Sequence, residues 1–77
     1  PTPNVPCEFM MIVDVNSLVQ LEIITLEAYP NIDFLEIYEG AIGKNLIANL
    51  SGTNPNPSTY ITKSANVMRA NWKPNVD

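Results

Sequence analysis

The residues best equipped for chemistry are oxygen donors. Asp33 opens the run Asp33-Phe34-Leu35-Glu36-Ile37-Tyr38-Glu39-Gly40, Glu27 lies in the loop before it, and Asn75 follows the last apolar run. Carboxylate and amide oxygens are hard ligands of the kind calcium prefers, so Asp33, Glu27 and Asn75 form a candidate calcium set. Asp33 is the pointed case. Alternation puts it on the side of Leu35 and Ile37, and a carboxylate buried there must be paired, hydrogen-bonded or bound to a cation. Hydrogen bonds from loop amides are the plain alternative for Asp33. Solvent exposure is the plain alternative for Glu27 and Asn75, as it is for most surface carboxylates and amides.

Other chemistries lack their parts. There is no histidine, so the common nucleophile triads and zinc sites are missing. The single cysteine, Cys7, has no histidine to activate it. The glycines at 40, 43 and 52 fit no phosphate-binding loop. Two carboxylate pairs occur, Glu36 with Glu39 and Glu27 with Asp33, but glycosidase chemistry needs such a pair in a deep cleft. The inventory argues against an enzyme, and no catalytic residue is assigned. Asn49-Leu50-Ser51 is an N-glycosylation sequon, which matters only in a secreted protein.

These side chains must be positioned by a small scaffold. The 77 residues allow one domain, 1–77, with a modest core. A charged fraction of 16% and a net charge of -4 make nucleic acid and anionic membranes poor partners. No apolar run reaches transmembrane length and no signal peptide is present, while Pro1-Thr2-Pro3-Asn4 reads as the start of a processed or excised piece.

Period-two alternation supplies the elements. Residues 7–13 form a strand with Cys7, Phe9 and Met11 on one face, pointing between two sheets. Residues 18–26 form the next, with Val19, Leu21 and Ile23 on one face and a phase slip at Ile24-Thr25-Leu26 that a bulge would absorb. The central strand runs from Ile32 to Glu39. Leu46, Ala48 and Leu50 mark another, Tyr60 to Thr62 a short one, and the last has Met68, Ala70 and Trp72 on one face. Proline- and asparagine-rich turns separate them. Several short strands so spaced predict an all-β fold, an antiparallel β-sandwich.

The residues resemble the CUB module of extracellular proteins. The run from Asp33 to Gly40 looks like that family's hallmark strand, and Cys7-Glu8-Phe9-Met10-Met11 is similar to its cysteine-x-aromatic-x-aliphatic strand. Leu21-Glu22-Ile23 through Leu26-Glu27 resembles the strand leading to its acidic loop. Leu50-Ser51-Gly52-Thr53 falls where the family has a cysteine-glycine pair, and Met68-Arg69-Ala70-Asn71-Trp72 looks like its penultimate strand. The likeness spans nearly the whole chain and is greatest to cysteine-poor versions in secreted nematode proteins, where such modules accompany C-type lectin domains.

The resemblance implies a CUB-like jelly roll, truncated at both termini, in a secreted extracellular protein. It implies that Cys7 forms a disulfide with a cysteine upstream of this chain, and that a second bridge is lost at Pro30 and Ser51. It carries calcium over only partly: Asp33 matches the hallmark ligand, Glu27 or Tyr29 falls at the glutamate position, and Asn75 stands for an aspartate. The implied function is a non-catalytic module binding a protein or glycan, calcium-assisted, with a spacer supporting a neighbouring lectin or protease domain as the alternative. Trimmed ends would leave exposed strand edges, through which the chain would self-associate.

Overall fold

The computed structural model describes residues 7–30, 32–54 and 56–74. They form six strands: β1 (Cys7–Ile12), β2 (Gln20–Ile23), β3 (Phe34–Glu39), β4 (Asn45–Leu50), β5 (Ser58–Ile61) and β6 (Val67–Lys73). The described residues contain no helix, so the all-β expectation holds. Two antiparallel sheets result, one of four strands in the order β1-β6-β3-β4 and one of two, β2-β5. Among the described residues no helix is long and apolar enough to cross a membrane.

Alternation places the core. Ile37 and Met68 are fully buried on neighbouring strands of the larger sheet, and Val19, just before β2, closes on them from the smaller. Met11, Leu21, Ile23, Leu35 and Tyr60 pack around these three. The faces that Val19, Leu21 and Ile23, and Met68 and Ala70, share by alternation are the ones turned to the core. Thr62, 1% exposed, stitches the two-stranded sheet to the loop after it. Its hydroxyl accepts the Val19 amide at 2.9 Å and donates to the Ala65 carbonyl at 2.7 Å.

Three expectations need correction. Phe9 shares the inward side of β1 with Met11, yet it is 59% exposed. Two strands at under 5 Å spacing cannot cover the width of four, and β1 is the edge left over. Alternation groups Leu46 with Ala48 and Leu50, but Leu46 is 53% exposed and Ile47 packs on the core with the other two instead. The β3–β4 register moves from Ile37↔Ala48 to Tyr38↔Leu46, so Ile47 is the extra residue of a bulge, and the alternation of β4 changes phase there. Finally, the slip at Ile24-Thr25-Leu26 is a break rather than a bulge within one strand. β2 ends at Ile23, and pairing resumes only as a single bridge between Leu26 and Asn54.

Candidate functional site

The loop between Leu26 and β3 carries two of the three expected ligands. It is anchored at Leu26, which exchanges backbone hydrogen bonds with Asn54 at 2.8 and 2.7 Å. It then closes on itself, the Ile32 and Asp33 amides both donating to the Tyr29 carbonyl at 3.2 and 3.0 Å. Asp33 completes this turn through its side chain, accepting the Tyr29 amide on Oδ2 at 3.2 Å. That is the plain alternative raised from the sequence, a carboxylate satisfied by a loop amide. Ser51 ties the loop to the end of β4, its hydroxyl meeting the Asp33 carbonyl at 2.8 Å and the Tyr29 carbonyl at 3.3 Å. Beside it Gly52, at φ +82°, lies against the ring of Pro30.

The closed loop leaves a cavity of about 350 Å³ lined by Glu27, Tyr29, Pro30, Asp33, Thr53 and Trp72. Glu27 and Asp33 thus reach one space, with an aromatic residue from the loop and another from β6. Asn75 lies outside the described residues. Among the described residues no three histidine, cysteine, aspartate or glutamate side chains gather as a metal cluster. What the cavity offers is two carboxylates beside aromatic surface, an arrangement that suits a cation or a basic side chain.

Cys7 is half-buried at the start of β1 and lines a shallow recess with Glu8, Asn71, Trp72 and Lys73. Its inward assignment is met in part, since Trp72 is its partner across the strands. Asn49 is exposed on β4, which among the described residues has no neighbour on its outer side.

Sequence reasoning missed two clusters. On the outer face of the larger sheet, Lys73 Nζ meets Glu36 Oε1 at 3.0 Å, and the Tyr38 hydroxyl donates to the same oxygen at 2.8 Å. Arg69 lies over the Tyr38 ring, 5.1 Å from its centre, and donates to the carbonyls of Gly40 and Gly43. Burial works to raise the Glu36 carboxyl, but the Lys73 and Tyr38 hydrogen bonds and the lysine charge outweigh it and hold it below its ordinary value. The same Glu36 bond raises Lys73 and Tyr38. The signal was present in the alternation: Glu36 and Tyr38 share a face of β3, and Arg69 and Asn71 share the face of β6 opposite Met68 and Ala70.

The second cluster surrounds Glu39. Its carboxylate accepts the amides of Lys63, Ser64 and Ala65 at 3.0, 2.8 and 2.9 Å, and the Ser64 hydroxyl at 3.3 Å. Those amides pull its carboxyl down to about 2. Glu39 and Ser64 border a cavity of about 600 Å³ that Lys44 and Lys63 also line. Comparison with protein-family models, curated proteins and solved structures found no match for this chain.

Proposed function

We propose that the chain is a non-catalytic interaction module of a secreted protein, a CUB-like β-sandwich that receives a basic group of a protein or glycan partner in the cavity beside Asp33. The observation that carries this is the convergence of Glu27 and Asp33 on one space walled by Tyr29, Pro30 and Trp72. The CUB-like reading draws further support from Ser51. The family resemblance sets the lost disulfide at Pro30 and Ser51, and the Ser51 hydroxyl bonds to the residue before Pro30 and to Asp33.

Calcium fits this cavity in donor type. Glu27 and Asp33 are the residues that would hold it, with Asn75 the third ligand proposed from sequence. Bound there, the ion supplies positive charge that brings the two carboxylates together and stiffens the loop. Thermal unfolding at rising calcium concentration tests the assignment. The midpoint rises for the native chain, as it must for a ligand held only by the folded state, and stays flat for Asp33→Asn. A flat response in the native chain at millimolar calcium removes the ion from the proposal. Binding of basic peptides and of glycans, compared between the native chain and Glu27→Gln, then tests the cavity itself. The spacer reading rests on Asp33 already serving its own loop, and it prevails if neither ligand class binds.

A further inference from the structure

The four-stranded sheet ends in β1 on one side and β4 on the other, and the two edges are built differently. β4 carries the bulge at Ile47, exposed Asn45 and Asn49, and Lys44 at its entrance, all devices that discourage strand pairing. β1 reads Cys7-Glu8-Phe9-Met10-Met11-Ile12, without lysine, proline or bulge, in unbroken register with β6. Of its four exposed side chains three are apolar, Phe9 at 59%, Met10 at 48% and Ile12 at 67%, and the fourth is Glu8.

The backbone of this edge can be read from its neighbour. The Val13 amide bonds to the Asn66 carbonyl at 3.0 Å, one step beyond the Ile12↔Val67 pair. Antiparallel ladders alternate hydrogen-bonded and open pairs, so Met11, Phe9 and Cys7 also bond inward to β6. On the other side of β6 the Gly40 amide bonds to Val67, which keeps the same alternation. Glu8, Met10 and Ile12 therefore present their N–H and C=O groups to the open edge.

We propose that β1 is the pairing edge of a two-fold homodimer, in which β1 of a second copy adds antiparallel with Met10 opposite Met10. This register engages all three outward residues with one another, Glu8 with Ile12 and Met10 with itself. Sliding it by one pair in either direction breaks the match. One slide carries Ile12 past the start of β1, and the other brings Glu8 opposite Asp14 beyond its end. In the favoured register Phe9 faces Met11 of the second copy, a sulfur–aromatic contact. The two Glu8 carboxylates stand about 13 Å apart along the strand, at ~3.4 Å per residue, beyond the screening length in physiological salt. Each partner of a standard interface covers about 10% of a small protein's surface. A six-residue edge is a smaller interface than that, so the dimer is weak and concentration-dependent.

Sedimentation of the full 77-residue chain over a range from micromolar to about 1 mM reads the equilibrium. The native chain shifts from monomer to dimer. Met10→Lys places two ammonium groups across the axis and weakens association about tenfold or more, while Leu46→Lys on β4 leaves it unchanged. Register is read by oxidative cross-linking in a Cys7→Ser background. Met10→Cys gives a disulfide-linked dimer, whereas Ile12→Cys, whose copies lie far apart, does not. A native chain that stays monomeric throughout overturns the proposal. So does cross-linking through Ile12→Cys as fast as through Met10→Cys, or loss of the dimer on Leu46→Lys with Met10→Lys still dimeric.

Discussion

Glu39 grips Ser64 twice, through the amide at 2.8 Å and the hydroxyl at 3.3 Å, across 25 residues of chain. The adjoining amides of Lys63 and Ala65 complete the arrangement, so the end of β3 holds the turn between β5 and β6. It fixes the approach of β6 to β3, the pairing on which Met68 and Ile37 are buried.

Acid should therefore loosen this turn. The folded Glu39 carboxyl titrates at about 2, against an ordinary 4.5 in the unfolded chain. A lowered folded value means the contribution is complete above 4.5 and lost as pH falls from there towards 2. Thermal unfolding followed between pH 7 and pH 2 should show this decline. Glu39→Gln lowers the midpoint by several degrees at pH 7 and flattens the dependence below pH 4.5. An unchanged slope in that variant would assign the acid sensitivity to other carboxylates.

Thr62 is the second fastening. Thr62→Val keeps the shape but leaves the Val19 amide and the Ala65 carbonyl without this hydroxyl. Losing a buried partner costs about 1–3 kcal/mol. Urea unfolding measures the difference, and a cost below about 0.5 kcal/mol would mean water replaces the hydroxyl.

The bulge in β4 makes an unusual pair of predictions. Leu46→Asp should alter stability by less than about 0.5 kcal/mol, as exposed substitutions do. Ile47→Ala should cost about 2 kcal/mol, the low end for a large-to-small change in a core. Simple alternation from Ala48 and Leu50 expects the reverse order, so the same unfolding experiment decides whether the bulge is present.

Asn49 is exposed on an edge strand, with the sequon completed by Ser51. Expression through a eukaryotic secretory pathway should add a glycan that glycosidase treatment removes, a difference read by mass. Folded protein of unmodified mass would show that the sequon is idle, and Ser51's two hydrogen bonds to the loop are then the physical reason to examine.

Much of the candidate site was legible in residue types. The lack of histidine, the sequon, and the place of Asp33 at the entrance to β3 all follow from order along the chain. So do the inward faces of Val19, Leu21, Ile23, Met68 and Ala70, because side chains alternate strictly along any regular strand. Glu27 and Asp33 were grouped on the same grounds, although their opening onto one cavity depends on the turn at Tyr29 and the Ser51 bonds.

What alternation cannot supply is how strands match across a sheet. Ile47 points inward because β4 takes one residue more than β3 at that point, and Phe9 is bare because the second sheet is only two strands wide. Glu39 was read as the acidic end of a strand, yet its role depends on three amides far along the chain. Local order determined which residues face together, since the period of a strand is a property of its own backbone. Tertiary structure decided which of those faces were covered, because register and sheet width arise only from contacts between distant segments.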